Sequence, residues 1–254
     1  MERSPPEPGD TWFPVTHVLI SRKDAPSGER LVLAAKGGHN AESHNHNDVG
    51  SFVFFKNGCP LAVDPGAEQY TRQSFSGERW GFWYIRSDWH NLLPRFDGVV
   101  QSDGREFAAT EVSCVTEADR TVLSMDLQGA YPESAGVRRW RRQLSFEAES
   151  GIRVEDTFAF GRDLDEVTLA FVTPSEIEIL SPGTVRFEAR ALPDGNRSAS
   201  GRLDVEASTP VSLTVERMPV NDVNQAPSWG DHLNRVIIHM EKPPREGWLR
   251  VQMH

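Results

Sequence analysis

Short apolar and β-branched segments follow one another along most of this chain, with Gly, Pro or Asp turns between them. After Val99 the predicted strands are 106–117, 121–128, 137–146, 152–160, 167–173, 177–180, 185–189, 203–207, 211–216, 236–240 and 248–251. Helical periodicity beyond about two turns is absent, except around 67–75. This pattern predicts an all-β fold: a large antiparallel two-sheet β-sandwich, of the super-sandwich type, with few or no helices.

The first hundred residues continue the same pattern. Predicted strands at 12–21 and 31–35 are separated by the turn Pro26-Ser27-Gly28-Glu29. A further strand at 52–56 returns through the tight hairpin turn Asn57-Gly58 to 61–63. These elements extend the β-rich character to the N-terminal third of the chain.

Length and composition fit one large domain. A chain of 254 residues can bury a substantial core without disulfide bridges. Only 38% of the residues are hydrophobic, while 20 Gly and 17 Pro favour many turns. We predict a Pro-rich flexible lead-in at 1–10 and a single β-domain at 11–254.

The net charge excludes some classes of function. A formal charge of −10 argues against nucleic-acid binding, which needs a basic surface, and an anionic sugar ligand would need a local basic patch. No run of about 18 apolar residues occurs, so we predict no membrane-spanning segment. The first residues lack the apolar stretch of a signal peptide. Two cysteines, Cys59 and Cys114, do not make a disulfide framework.

The least generic stretch is the polar run 42–51, which leads directly into the apolar segment 52–55. His44 and His46 lie two positions apart, and in an extended backbone both would project to the same side. That arrangement suits two ligands of one metal, or one ligand beside a working group. The alternative is a polar loop with solvated histidines.

Two later motifs add further metal-ligand types. Asp64 ends a short apolar run and begins the turn Val63-Asp64-Pro65-Gly66. His90 lies between aromatic segments in Ser87-Asp88-Trp89-His90-Asn91. Imidazole nitrogen and carboxylate oxygen are ligands that Zn²⁺ accepts, with water in a fourth position.

Taken in order, four motifs resemble one protein family. They are His44-Asn45-His46-Asn47-Asp48-Val49-Gly50-Ser51-Phe52, Val63-Asp64-Pro65-Gly66, Phe75-Ser76-Gly77-Glu78-Arg79-Trp80 and Ser87-Asp88-Trp89-His90-Asn91. This block, from Lys36 to Gln101, is similar to the C-terminal β-domain of heparinase II/III-type polysaccharide lyases. Oligoalginate lyases are similar in the same place. The rest of the chain resembles the family only in being rich in β-structure.

The resemblance implies a zinc ion held by His46, Asp64 and His90. It also implies that His44 faces the substrate cleft, as a base or as a partner of the substrate carboxylate. We expect the zinc to be mainly structural and to fix where His44 points. Asp48 and Glu42 rank below Asp64 as oxygen ligands, and we interpret both as partners that orient the imidazoles.

The activity that the resemblance implies is β-elimination on an acidic polysaccharide containing uronic acid. In that family an N-terminal α/α toroid supplies the proton-shuttling tyrosine and an Asn or His that neutralises the carboxylate. No such toroid occurs in this sequence, so we expect a C-terminal half that is incomplete for catalysis alone. The resemblance also implies a periplasmic or secreted protein and leaves a homodimer open.

Aromatic residues crowd the segment 67–89. Core packing explains most of them, while some could stack on sugar rings. Tyr70 and Arg79 are the candidates for substrate contact. Arg79 could hold a carboxylate with its guanidinium fork, or form an ion pair with Glu78 or Asp88.

The strand at 137–146 carries four arginines. Alternation puts Arg138 and Arg142 on one face with Trp140, and Arg139 and Arg141 on the other. One interpretation is a polyanion-binding face. We favour a solvated strand paired with acidic neighbours such as Glu147 or Asp156.

Two competing functions stay open from the sequence. The first is a non-catalytic β-sandwich that binds acidic carbohydrate and keeps zinc as a structural element. The second is a cupin-like metal enzyme, because an HxH pair on a β-scaffold also occurs there. A cupin would have a glutamate a few residues after the pair, and here the next glutamate is Glu68.

Overall fold

The computed structural model of the chain describes residues 7–117 and 119–254, and its backbone is mostly antiparallel β-strand. The strands of the first half are β1 (Gly9–Phe13), β2 (Val18–Asp24), β3 (Arg30–Lys36), β4 (His39–Asn40), β5 (Phe52–Lys56), β6 (Cys59–Ala62), β7 (Pro94–Phe96), β8 (Gly104–Ala108), β9 (Thr110–Thr116) and β10 (Arg120–Asp126). Those of the second half are β11 (Val137–Glu147), β12 (Gly151–Phe160), β13 (Glu166–Thr173), β14 (Glu176–Ser181), β15 (Thr184–Glu188), β16 (Gly201–Ala207), β17 (Ser212–Pro219), β18 (His232–Glu241) and β19 (Glu246–Met253).

Helical structure is limited to short turns among the described residues. One α-helical turn, α1, spans Ala226–Trp229. The 3₁₀ turns are Gln73–Phe75, Gly77–Gly81, Trp83–Ile85, Ser87–Trp89, Gln128–Ala130, Glu133–Ala135 and Pro193–Gly195. The prediction of an antiparallel β-sandwich with few helices is confirmed.

The strands form two stacked layers. One layer is an eight-stranded sheet in the order β14-β15-β16-β19-β12-β11-β10-β9. The other combines a five-stranded sheet, β1-β2-β3-β5-β6, with a four-stranded sheet, β17-β18-β13-β7. The N–H of Val63, just after β6, donates to the carbonyl of Val172 in β13 at 3.0 Å, so the two smaller sheets meet along a seam. Strands β4 and β8 pair separately.

Aromatic side chains fill the space between the layers. The rings of Phe54 (β5) and Phe146 (β11) meet edge to face with centroids 6.2 Å apart. Phe96 (β7) meets Trp140 (β11) at 5.4 Å. Such contacts join both smaller sheets to the eight-stranded sheet, and most of the buried apolar residues form one core. A small second cluster consists of Val63, Val172, Val220 and Leu233.

Local turn chemistry agrees with part of the sequence reading. Asn57 and Gly58 connect β5 to β6 with φ angles of 52° and 77°, as a tight hairpin turn requires. The single strand predicted at 12–21 is wrong, because β1 and β2 are two strands of a hairpin. His17 lies at that turn with φ of 52°. Residues 1–6 of the predicted lead-in lie outside the described residues, and positions 9–10 belong to β1.

A buried ion pair on the core face of the eight-stranded sheet connects that sheet to the opposite layer. Arg142 (β11) and Asp156 (β12) are 0% and 1% exposed, and the guanidinium donates to both carboxylate oxygens, at 2.9 and 2.6 Å. Its remaining donors reach the opposite layer. Nη1 donates to the carbonyl of Gly50 at 3.0 Å, and Nη2 donates to that of Leu92 at 2.6 Å. One side chain therefore joins β11, β12 and two loop segments of the other layer.

The structure corrects the interpretation of the arginine-rich strand. Asp156 is the partner of Arg142, as proposed, but the pair is buried rather than solvated. Arg141 points to solvent and forms an ion pair with Glu111. The face shared by Trp140 and Arg142 is the core side of the sheet, so a polyanion surface there is excluded.

The effects of replacing the two members of this pair should be strongly coupled. We expect Arg142→Met to destabilise the fold by about 3–5 kcal/mol, because it leaves the Asp156 carboxylate buried without a counter-charge. The double variant Arg142→Met with Asp156→Leu should lose less than the sum of the two single variants. Urea unfolding of the four proteins measures the coupling. Additive losses would contradict a strongly coupled pair.

Candidate metal centre

Three segments of the chain meet at the seam between the two smaller sheets. His46 lies in the loop before β5, Asp64 follows β6, and His90 precedes β7. One nitrogen or oxygen from each side chain can be chosen so that all lie within 4.8 Å of one another. The sequence prediction that these three residues come together is therefore confirmed as geometry.

The distances suit a small cation. Nδ1 of His90 is 3.1 Å from Oδ2 of Asp64, and Nδ1 of His46 is 3.7 Å from Oδ1 of Asp64. Ligand atoms of tetrahedral zinc lie roughly 3.3–3.5 Å apart, given metal–ligand bonds of about 2.0–2.2 Å. The two distances end on different oxygens of Asp64, and one ligand atom from each side chain lies within 4.8 Å of the others. Side-chain shifts of about 1 Å would bring such a set to the zinc spacing.

His90 gives the clearest sign that a ligand belongs here. Its side chain is fully buried, yet neither ring nitrogen has a hydrogen-bond partner among the described residues. The 3.1 Å contact with Asp64 is close enough for a hydrogen bond, but its alignment falls short of one. A buried imidazole without a partner is costly, and a metal ion would satisfy it. The donor set fits zinc.

The electrostatics of the cluster favour a charged carboxylate. Burial alone would raise the pKa of Asp64, but the charge of His90, with His46 close by, holds that pKa well below its usual range. Burial likewise opposes charge on His90, while Asp64 raises the pKa of that imidazole. The carboxylate is therefore ionised, which is the form that binds a cation.

Neighbouring groups fix the ligand side chains. Oδ1 of Asp64 accepts the N–H of Gly66 at 2.7 Å, which closes the predicted turn after β6. His46 packs edge to face on the buried ring of Tyr84, with centroids 5.7 Å apart. The rings of His46 and His90 are tilted, with centroids 5.2 Å apart.

The loop that carries both histidines is a turn rather than an extended strand. His44 has a φ of 56°, and the N–H of Asn45 closes the turn onto the carbonyl of Glu42 at 3.3 Å. The assumption of an extended HxH pair was therefore wrong. The turn leaves His44 exposed while His46 is partly buried. His46 therefore joins Asp64 and His90, while the imidazole of His44 stays exposed beside them.

Among the described residues, Asp48 and Glu42 pair with Lys36 and form no hydrogen bond or ion pair with an imidazole, which corrects the second part of the ligand prediction. Nζ of Lys36 contacts Asp48 at 2.9 Å and Glu42 at 3.4 Å. The backbone of Lys36 also holds the end of the loop, because its N–H donates to the Ser51 carbonyl and its carbonyl accepts the N–H of Gly50. Lys36, which the sequence reading missed, therefore clamps both ends of the histidine loop.

The two candidate substrate residues both contact this loop. Tyr70 is 53% exposed, and its hydroxyl is 3.5 Å from Nδ1 of His44. Arg79 donates to the carbonyl of Asn45 at 2.9 Å and lies over the ring of Trp80 at 4.6 Å. Within the described residues, no ion pair joins Arg79 to either acidic residue considered as its partner.

The aromatic segment divides into core and surface. Tyr84 and Trp89 are 2% and 9% exposed and pack around Trp83. Phe75 is 75% exposed, with its ring centroid 5.6 Å from that of Tyr70. Of the seven aromatic residues in this segment, two are buried, three are partly buried, and Tyr70 and Phe75 face solvent next to His44.

Comparison with known families decides the relationship. Residues 5–229 match the family described as heparinase II/III-like, C-terminal. The chain belongs to this family. That membership replaces the cupin interpretation and accounts for the order of the four motifs. A comparison with curated protein sequences gave no match.

Solved structures of heparinase III type share the fold. A heparinase III gene product has a TM-score of 0.71 at 17% identity, over 100% of this chain and 36% of its own length. A heparan sulfate lyase from Pedobacter heparinus has a TM-score of 0.70 at 16% identity, over 96% of this chain and 36% of its own length. A further heparinase III has a TM-score of 0.67 at 14% identity, over 97% of this chain and 37% of its own length. The chain thus spans little more than a third of these proteins.

The structure also bears on the membrane prediction. Among the described residues, no helix combines the length and apolar character that crossing a bilayer demands.

Removing the metal should lower stability. If zinc binds here, a free concentration about 1,000 times Kd contributes about 4 kcal/mol to folding. Stripping it with a chelator should therefore lower Tm by roughly 10 °C for a domain of this size. Thermal unfolding of zinc-loaded and chelated protein, alongside elemental analysis, measures this. Zinc-free purified protein with the same Tm in both states would contradict a structural zinc.

The stability lost when Lys36 is replaced should depend on pH. Burial lowers the pKa of Lys36, but Asp48 and Glu42 together outweigh it and the net pKa is raised. Because this pKa is higher in the folded protein, the stabilisation by charged Lys36 is complete below the ordinary lysine pKa of about 10.4. It is lost as the pH rises through the higher pKa of the folded state. We expect Lys36→Met to cost about 2 kcal/mol near neutral pH. The difference from wild type should shrink at strongly alkaline pH, as melting curves across this range can show. Lys36→Arg is the matched control.

Proposed function

We propose that this chain is the zinc-binding C-terminal half of a polysaccharide lyase that cleaves uronic-acid-containing chains by β-elimination. The observation that carries the proposal is the arrangement around one loop. The exposed imidazole of His44 contacts the Tyr70 hydroxyl, while His46, two residues on, completes the metal cluster. Family membership supports the same class of reaction.

The proposed reaction moves one proton and breaks one bond. A base removes the proton on C5 of the uronic acid, next to its carboxylate. The electron pair forms the C4–C5 double bond, and the bond between C4 and the bridging oxygen breaks. That oxygen leaves with a proton from an acid, so the chain is cut without water. A neutralised carboxylate makes the C5 carbanion tolerable.

His44 suits the role of base or carboxylate partner. It is exposed, its turn presents the ring to solvent, and its Nδ1 lies 3.5 Å from a hydroxyl that could share a proton with it. Tyr70 would contact the sugar through its exposed ring and hydroxyl. Arg79, held by the carbonyl of Asn45 beside the same loop, is the proposed cation for a substrate carboxylate.

The metal is assigned a structural role. His46, Asp64 and His90 would hold zinc, which binds the loop before β5 to the segments after β6 and before β7. When bound, zinc would supply a fixed positive charge and a rigid link. The position of His44 then depends on how firmly its neighbour His46 is held.

The remaining parts of the proposal concern what lies outside this chain. The structural neighbours are nearly three times as long, so we propose that an N-terminal helical domain supplies the other catalytic groups. A periplasmic or secreted location is proposed because a polymeric substrate is reached most directly outside the cytoplasm. A homodimer stays a prediction.

The alternative is a non-catalytic module that binds acidic carbohydrate. The exposed pair of Tyr70 and Phe75 favours it, since adjacent aromatic faces can stack on sugar rings without any chemistry. Binding to uronic-acid oligosaccharides without formation of an unsaturated product would support this alternative.

Loss of His44 should abolish turnover while leaving the fold intact. In the polypeptide that shows lyase activity, this chain alone or joined to an N-terminal helical domain, we expect His44→Ala to lower kcat by about 10²–10⁴-fold. Tyr70→Phe should also lower kcat. The ultraviolet absorbance of the unsaturated product measures the rate.

The control for this experiment is His254→Ala, a histidine that is 51% exposed and distant in sequence from the loop. Zinc content and Tm should match wild type in all three variants. Normal turnover by His44→Ala would remove this residue from the reaction, whatever the state of the metal.

A further inference from the structure

The side-chain amide of Asn91 lies where the three ligand-bearing segments converge. We infer that Asn91 is the positioning residue of the metal centre, an inference that rests on the proposed zinc site. It does not touch the ion. It sets the spacing of the backbone segments that carry the three ligands.

Asn91 is fully buried and uses its amide in three directions. Nδ2 donates to the carbonyl of Phe52 at 2.7 Å and to that of Val63 at 3.0 Å. Oδ1 accepts the N–H of Val172 at 2.8 Å. The backbone N–H of Asn91 donates to Oγ of Ser51 at 3.1 Å.

Three of these four contacts lie on segments that carry a ligand. Asn91 follows His90, and Val63 precedes Asp64. Ser51 and Phe52 lie where the loop that carries His46 enters β5. The fourth contact, with Val172, fixes the amide against β13. A single residue thus links the segments that carry all three ligands, and a shift of any one segment would strain its hydrogen bonds.

The chemistry demands an amide at this position. Two carbonyls need two donors and one N–H needs an acceptor, and a planar carboxamide supplies this combination. An aspartate would keep the acceptor but lose both donors, and it would place negative charge against two carbonyl oxygens. A leucine would leave all three backbone groups without partners.

Asn234 offers a matched control in the same layer. It is 4% exposed, and its Nδ2 donates to the carbonyl of Ser175 at 2.9 Å. Its hydrogen bond reaches none of the three ligand-bearing segments. Asn234→Asp therefore removes a buried amide donor of β18 without a path to the metal centre.

The test compares zinc affinity and coordination geometry in the folded proteins. Zinc binding is measured by competition with a chromophoric chelator, and Co²⁺ is used as a second probe because its visible absorption is intense when tetrahedral. We expect Asn91→Asp to weaken zinc binding by about 10–100-fold and to weaken the tetrahedral Co²⁺ bands. Asn234→Asp should leave both unchanged, although its Tm falls.

A milder variant covers the case in which Asn91→Asp does not fold. Ser51→Ala removes only the acceptor for the backbone N–H of Asn91, and we expect a several-fold loss of zinc affinity in the same direction. If wild type binds no zinc, the proposed metal centre itself fails. If wild type binds zinc and both variants bind it equally well, Asn91 is an ordinary core residue and the inference is overturned.

Discussion

The buried pair of Arg142 and Asp156 is the interaction on which the arrangement of the molecule depends. Charge in a protein interior is tolerated only when it is fully paired and hydrogen-bonded. Here the guanidinium of Arg142 donates four hydrogen bonds, each to an oxygen acceptor. Two of those acceptors, Gly50 and Leu92, are backbone carbonyls of the opposite layer. The eight-stranded sheet therefore holds the loops that carry the proposed metal ligands.

Gly50 shows how closely the layers approach at this point. Its φ is 91°, and a Cβ added there would lie 2.6 Å from a methyl carbon of Leu127. Only glycine fits both the backbone conformation and the contact. The loop is thus fixed from the core side by Arg142 and Leu127, and from its own sheet by Lys36. His44, on the far side of the turn, is left free to face solvent.

Much of the fold and of the ligand set could be predicted from sequence. Regular turn residues such as Asn57-Gly58 mark strand ends locally, and motif order in a known family brought His46, Asp64 and His90 together before any distance was available. The family resemblance carried this, since two histidines and an aspartate far apart in sequence do not by themselves predict a contact.

What escaped prediction depends on distant partners. An arginine on an alternating strand is expected at the surface, and the acceptors that allow Arg142 to be buried lie 50 and 92 residues away. Asp48 and Glu42 were expected to orient the imidazoles, but in the fold both carboxylates contact Nζ of Lys36 instead. The turn at His44 could not be inferred either, because a positive φ at a histidine leaves no mark in the sequence.

The strand order has a consequence for how the chain reaches this structure. β19 lies between β12 and β16, and its Met253 pairs with Ile152 of β12. The centre of the large sheet therefore cannot form until β19, the last strand described, is in place. Until it inserts, β12 and β16 both present open hydrogen-bonding edges, which invite association between chains. Such long-range pairing is intrinsically slow. Nascent or truncated copies that lack positions 246–253 would depend on chaperones to escape aggregation.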